Sequence, residues 1–507
     1  MRAVRMTRLS KNIVYNLLGQ GLLLALSLVA VKLVFSRLGP DTLGILYFSI
    51  TLGIALYAIL EMGVSTTVVR EVSTHLEDES GYLRDLIRTA TLLYWGAYAL
   101  LATSVYLAAP TVVGWWLTLS TLDTDTATRM VRVLGTGTLL LLPSSLYASL
   151  LRGTQRMEFN NGLDVARAGA QQLGIIIILA FGGGSLAIAY WFSVSFVLAL
   201  IGYFLATARF FPLGALMPGY SSTVVLQNVR YSISVAAVSV LSTVHLQADK
   251  LIISKLYSVG AFGFYGLAFS VVARLTVFTR AVSQAALPTM SSLFRIGEHD
   301  DLLRQYRKLQ DVVCFLAVPT LAAVAFAAEP LFAYLLDGKT ARMLLIPVAL
   351  LCIGTYMNST LSMPYIVSLA TGRPDIPARL NFHALFVTLP ATAILVYFLG
   401  FPGAGLSWIL YHLFSYVYAV PRICSQCLKI PTREWFWHTF KVSVLAFLTY
   451  GVTWLVIWHT GTDSIPMLAA LYADASVVYA IGMYCLVGDE LRGTVQGILL
   501  SFQCKRA

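Results

Sequence analysis

Residues 30–38 read AVKLVFSRL, and residues 248–256 read ADKLIISKL. Both segments match the pattern A-x-K-L-x-x-S-[R/K]-L, and both end an apolar run. The correspondence continues downstream, where Gly44 matches Gly263 and each copy is followed by a polar stretch, LRDLIR at 83–88 and LRQYRK at 303–308. The offset stays between 218 and 220 residues throughout. This constancy predicts a duplicated unit whose two copies face each other across a cavity.

The composition places the chain in a membrane. Of 507 residues, 58% are hydrophobic and only 12% are charged, whereas a soluble protein of this size is about a quarter charged. The basic amino-terminal segment leads into an apolar run too long for a signal peptide, so we expect it to be a retained first span. The net charge of +11 falls mostly in short loops between spans. It therefore indicates topology and not a nucleic-acid partner.

About 20 apolar residues cross a bilayer, and on that rule the chain is an all-α polytopic membrane protein of about fourteen spans. The positive-inside rule places both termini in the cytoplasm of a protein in the cell membrane. We expect two pseudo-symmetric six-helix lobes, 1–210 and 211–430, around the central cavity. Two additional helices and a tail would occupy 431–507. The predicted spans are 12–36, 43–67, 88–109, 131–151, 163–183, 185–207, 231–254, 262–288, 310–329, 343–370, 380–399, 403–422, 439–459 and 466–487.

Cations inside spans are the first candidates for a binding site. A charge at mid-bilayer costs about 2.5–3.5 kcal/mol on insertion scales and normally faces protein or water. Arg274 lies near the centre of its predicted span, on a stripe with Gly266 and Ser270. Arg280, Lys32 and Lys250 either line the cavity or extend to the membrane surface. Cations outnumber acids among the deep residues, which favours an anionic cargo.

The acidic residues suggest ion coupling. Asp249 precedes Lys250, and His245 lies four residues earlier on the same helical face. A carboxylate next to a histidine can exchange protons or bind a cation, so H⁺ or Na⁺ is the candidate coupling ion. The alternative is that Asp249 only balances a neighbouring cation. Glu61 lies late in the second predicted span.

The sequence lacks the motifs that would indicate an enzyme. The sequence has no P-loop, metalloprotease or nucleophile-elbow motif, and no predicted loop is long enough for a catalytic domain. We therefore expect neither an enzyme nor a cofactor. Two short patterns leave alternatives open. Cys424 and Cys427 have metal or redox spacing without a second pair, and Asp123 with Asp125 forms a D-x-D typical of metal-dependent glycosyltransferases.

Three segments together resemble a known family. They are N-x-x-x-Q at 16–20, SRLGPDTLG at 36–44 and EMGVSTTVVR at 61–70, and the second half adds GFYGLAFS at 263–270. This order resembles the polysaccharide-flippase family of the multidrug/oligosaccharidyl-lipid/polysaccharide exporter superfamily. The resemblance implies two lobes with alternating access. It also implies export of a polyprenyl-(di)phosphate-linked oligosaccharide from the cytoplasmic to the outer leaflet in polysaccharide biosynthesis.

The resemblance also assigns roles to residues. The family often carries acids at the positions of Glu61 and Asp249, which implies ion coupling there, with His245 as a neighbour. A cationic cavity implies that Arg274, Lys32, Lys250 and Arg280 bind the head group. Expected partners are the lipid-linked oligosaccharide, membrane lipids and glycan-assembly enzymes. The alternatives are a cation-coupled multidrug or metabolite exporter of the same superfamily, and a membrane glycosyltransferase or polymerase.

Overall fold

Long apolar helices account for nearly all of the chain. The computed structural model describes residues 2–61, 63–75, 81–461 and 464–486. Within these ranges nineteen α-helices are joined mostly by short turns, and the only β-type pairing is an isolated bridge between Thr118 and Ser258. The polar row of the first span (Asn12, Asn16 and Gln20) lies outside the described side chains. The predicted all-α membrane class is confirmed.

The helices form two packing units, which divide between Gly266 and Leu267. The first unit contains α1 to α10 and the first half of α11. Their bounds are α1 Arg2–Leu38, α2 Pro40–Glu61, α3 Val64–His75, α4 Tyr82–Thr111, α5 Thr124–Thr138, α6 Leu141–Gly153, α7 Met157–Ala180, α8 Ser185–Thr207, α9 Leu213–Leu216, α10 Ser222–Leu256 and α11 Val259–Arg274. The boundaries at 210 and 430 concern the duplicated lobes and stay a prediction.

The second unit contains the rest of α11 and the remaining helices. These are α12 Val277–Arg295, α13 His299–Leu335, α14 Gly338–Ala370, α15 Asp375–Leu399, α16 Phe401–Ile423, α17 Thr432–Ala446, α18 Val452–Thr460 and α19 Ile465–Leu486. Three π-helical turns follow or interrupt these helices and α4, at Val112–Trp116, Cys424–Leu428 and Phe447–Gly451. Helices α13, α14 and α16 form the centre of this unit, and α12 and α15 pack around them.

The predicted count of fourteen spans is not confirmed. Among the described residues, eleven helical segments are long and apolar enough to cross a membrane, or twelve if the bent pair α11 and α12 is one span. The two predicted spans that are missing from this set correspond to α10 and α16. Both helices are long, but polar side chains lower their mean hydropathy. These side chains include His245 and Asp249 in α10 and the fully buried His412 in α16.

The carboxy-terminal helices α18 and α19 are bound to α13 by side chains that donate hydrogen bonds to its backbone. Helix α13 contains Pro319 and Pro330, and a proline weakens the helical ladder next to it. Tyr479 donates to the carbonyl of Cys314 at 3.1 Å, and Trp454 donates to that of Ala325 at 3.2 Å. Each acceptor lies five residues before a proline. Tyr472 adds a bond to the carbonyl of Pro319 at 3.1 Å.

Candidate functional site

A buried ionic cluster lies where α10 approaches α11. The ammonium of Lys250 lies 3.3 Å from Oδ1 of Asp249 and also donates to the carbonyl of Leu246. The hydroxyl of Tyr265 donates to Oδ2 of Asp249 at 2.6 Å. Asp249 and Lys250 are only 8% and 6% exposed. In this conformation Asp249 therefore balances Lys250, as the simpler of the two sequence interpretations expects, and Lys250 is not presented to a ligand.

His245 lies on the same helix, one turn before Asp249, and is half-buried. Residues spaced by four share a helical face, so the structure keeps the predicted alignment of the imidazole with the carboxylate. A role in ion coupling for His245 and Asp249 stays a prediction.

Lys32 occupies the position in α1 that Lys250 occupies in α10. It is half-buried, and the residue before it is Val31, which is buried among apolar neighbours. The first copy of the repeat thus has the lysine without the adjacent acid.

Arg274 and Arg280 lie on the two arms of a bent helix pair. Helix α11 ends at Arg274 and α12 begins at Val277, with a bend of 41° between them. The sequence predicts a continuous span over 262–288, and the structure has instead a helix pair with a bend, which counts as one span only if both arms cross the membrane together. Both arginines are exposed on the second unit. Arg274 also lies in the last turn of α11, where a cation is favoured by the partial negative charge of the helix end.

Glu61 ends α2 and caps the next helix. Its carboxylate accepts the backbone N–H groups of Gly63 at 2.9 Å and Ser65 at 2.8 Å, and the hydroxyl of Tyr94 at 3.3 Å. Gly63 has φ +67°, a conformation that glycine adopts at little cost. A carboxylate at a helix N-terminus is stabilised by the unpaired N–H groups there. The observed contacts of Glu61 are structural, and its predicted coupling role is not tested by them.

A polar cavity of about 410 Å³ within the first unit was missed by the sequence analysis. Its lining comes from α2, α6, α7 and α8, and includes Tyr57, Arg152, Asn160, Asp164 and Tyr203. Tyr203 donates to Asp164 at 3.0 Å, and Asn160 donates to the carbonyl of Ala148 at 2.9 Å. The spacing of four between Asn160 and Asp164 in a largely apolar helix was the signal available in the sequence.

The two acids of the D-x-D pattern both have local partners. Asp123 is the N-cap of α5 and accepts the N–H of Thr126 at 2.8 Å, a bond that lowers the pKa of its carboxyl. Asp125 pairs with Arg129 one turn along the helix. Cys424 and Cys427 lie buried in a π-helical turn. The two acids thus have structural contacts, and the two cysteines are buried within a helical turn.

A comparison with known protein families assigns the chain to one of them. The model of the family described as "Polysaccharide biosynthesis protein" matches residues 34–339, which is more than half of the sequence. The protein belongs to this family. The match includes both copies of the repeat, except for the first residues of the first copy, and also the cluster around Asp249. No curated protein matches the sequence.

Solved structures of transporters share the fold. The lipid II flippase MurJ in an inward closed conformation has a TM-score of 0.71 and 12% identity, over 92% of this chain and 97% of that chain. A multidrug resistance MATE family transporter of the MOP superfamily, inward-facing, has a TM-score of 0.66 and 15% identity, over 80% and 94%. A MOP superfamily transporter from Pyrococcus furiosus has a TM-score of 0.54 and 15% identity, over 82% and 94%. The family match and the shared fold together confirm the predicted resemblance.

Proposed function

We propose that this protein is a flippase that moves a polyprenyl-(di)phosphate-linked oligosaccharide from the cytoplasmic to the outer leaflet by alternating access. It would act in polysaccharide biosynthesis in the cell membrane, with both termini in the cytoplasm. Its partners would be the lipid-linked substrate, membrane lipids and the glycan-assembly enzymes that supply the substrate.

One observation carries the proposal. The family model is that of polysaccharide biosynthesis, and the fold is similar to that of the lipid II flippase MurJ over 92% of this chain. The described residues of this chain lie nearly all in apolar helices. A membrane protein of a polysaccharide-biosynthesis family is suited to moving a substrate between leaflets.

Positively charged side chains would bind the phosphate groups of the substrate. Arg274 and Arg280 are the first choices because both are exposed and because guanidinium groups bind phosphate oxygens in a bidentate manner. Half-buried Lys32 is next. Lys250 would contribute only in a state in which Asp249 releases it, since the two are paired here.

Ion coupling is proposed for Asp249 with His245, and for Glu61, with H⁺ or Na⁺ as the coupling ion. Binding of a proton or a sodium ion at Asp249 would weaken its hold on Lys250. Ion binding would in this way change the charge that Lys250 offers to an anionic substrate.

The test is a leaflet-translocation assay in vesicles that contain the purified protein and a fluorescent polyprenyl-diphosphate saccharide. We expect the wild type to expose the saccharide on the opposite leaflet, and Arg274→Ala to lose this activity while still inserting. Arg379→Ala is the matched control, because Arg379 is an exposed arginine paired with Asp375 at 3.9 Å at the start of α15. Equal translocation by Arg274→Ala and wild type would remove Arg274 from the site.

A second candidate function has a specific observation in its favour. A multidrug transporter shares the fold over 80% of this chain, and Glu61 and Asp249 are buried acids that suit a cationic cargo. Efflux of an organic cation that Asp249→Asn abolishes, without any flipping of the saccharide lipid, would establish the exporter instead.

A further inference from the structure

The two repeated helix pairs are in direct contact at the ends that the predicted topology places outside the cell. Gly44 of α2 and its repeat equivalent Gly263 of α11 pack so closely that a Cβ on Gly263 would lie 2.8 Å from the Cα of Gly44. A Cβ on Gly44 would lie 1.9 Å from the carbonyl oxygen of Val259. Because these neighbours are backbone atoms, no side-chain movement relieves the overlap. Small residues allow such close helix packing in membranes.

A buried carboxylate lies next to this contact. Asp41 is fully buried, and its Oδ2 accepts the consecutive N–H groups of Ser120, Thr121 and Leu122 at 2.6, 2.6 and 3.1 Å. Its Oδ1 faces Gly260, where a Cβ would lie 3.1 Å away. Charge-assisted hydrogen bonds of this kind are strong, and a buried charge without them is costly. The loop at 117–122 is therefore fixed to the start of α2.

The same loop holds the connection between α10 and α11. Val259 donates its N–H to the carbonyl of Thr118 at 2.9 Å. Trp116 donates to Ser254 at 3.0 Å. Lys255 donates to the carbonyl of Trp115 and lies 4.1 Å from the centre of its ring. Three of the four residues 115–118 thus bind the second copy of the repeat, while residues 120–122 bind the first.

We propose that Asp41, Gly44, the loop 115–122, the connection 254–260 and Gly263 form a latch that holds the outer ends of the repeated helix pairs together. The latch is closed in this structure and must release each time the outer side opens. This inference rests on the proposed alternating access, and it identifies the contacts that the outward movement breaks.

The first test locks the latch. Thr118→Cys with Ser258→Cys replaces two residues paired across a β-bridge, a separation that a disulfide can span. Four of the native cysteines are buried but Cys485 is exposed, so the pair is made in a background that carries Cys485→Ser and Cys504→Ser. We expect oxidation to abolish translocation and reduction to restore it, whereas Thr118→Cys alone should be insensitive. Full translocation by the demonstrably cross-linked protein would overturn the latch.

The second test needs no substrate. Gly44→Ala should open the latch, because the added methyl group meets backbone atoms. Gly114→Ala is the matched control, since a Cβ at this glycine of the π-helical turn Val112–Trp116 meets nothing within 4 Å. Ser254→Cys, at a position fully buried beneath Trp116, reports opening by its reaction with a membrane-impermeant maleimide in intact cells. We expect labelling to be about tenfold faster with Gly44→Ala, equivalent to about 1.4 kcal/mol.

The two tests separate the latch from the transported substrate. Faster labelling in Gly44→Ala together with no flipping by the wild type would support the latch and reject the flippase. Equal labelling in the Gly44→Ala and Gly114→Ala backgrounds would reject the latch, whatever the protein transports. If Gly44→Ala does not fold, the cross-linked pair alone decides.

Discussion

The two copies of the repeat keep the same lysine in different surroundings. Lys250 in α10 is 6% exposed and is paired with Asp249, whose second oxygen is held by Tyr265. Lys32 in α1 is half-buried and follows Val31. Both copies therefore have the lysine and the glycine that contacts its equivalent, but only the second copy has a buried ionic cluster. Of the two equivalent positions, only that of the second copy has an acid next to its lysine.

The largest expected effect comes from making the second copy resemble the first. Asp249→Val leaves the buried ammonium of Lys250 without its counter-ion. Removing one partner of a buried pair costs about 3–5 kcal/mol, so we expect a clearly lower Tm in detergent. The double variant Asp249→Val with Lys250→Met, which removes both charges, should recover most of the loss. A Tm unchanged by Asp249→Val would show that the cluster is not formed.

A smaller loss is expected when only the third member of the cluster changes. Tyr265→Phe removes the 2.6 Å hydrogen bond to Asp249 and leaves the pair with Lys250 intact. A hydrogen bond to a charged group contributes about 1.5–3 kcal/mol. The Tm should fall less than in Asp249→Val. Tyr82→Phe serves as a control, because its hydroxyl bonds a different carboxylate, that of Glu71.

The first copy should tolerate the loss of its charge. Lys32→Met removes a half-buried ammonium and keeps the length of the side chain, so we expect a change in stability of about 1 kcal/mol or less. Translocation is the discriminating measurement. If Lys32 binds the head group, Lys32→Met reduces transport without a fall in Tm. If transport is also unchanged, the first copy has no cationic role.

The smallest effect should come from giving the first copy an acid. Val31→Asp places a carboxylate next to Lys32, as Asp249 lies next to Lys250. Val31 is buried, so the cost of desolvating the new carboxylate must be offset by its pairing with Lys32. We expect a Tm close to that of wild type. A large fall would show that the two sites differ in packing as well as in charge.

Hydropathy and the repeated motif were enough to predict the membrane class, the exporter superfamily and the correspondence of Gly44 with Gly263. They could not reveal that these two glycines touch, because periodicity does not report which surfaces meet. The break after Arg274 was also missed, since Leu275 and Thr276 carry no glycine or proline signal. Glu61 lies late in an apolar segment and was therefore expected to be an acid inside the membrane. Its role as a helix cap depends on the turn between α2 and α3, which an averaged hydropathy does not show. The polar cavity takes its lining from four separate helices, so the spacing of Asn160 and Asp164 marks only the part that α7 contributes.

The bonds to α13 from later helices have a consequence for biosynthesis. The carbonyls near Pro319 and Pro330 receive their donors from Trp454, Tyr472 and Tyr479, which leave the ribosome more than a hundred residues afterwards. Helix α13 therefore lacks these three side-chain hydrogen bonds until the last helices have inserted. A chain that stops before residue 431 would lack these donors, and we expect quality-control proteases to degrade it faster than the full-length protein.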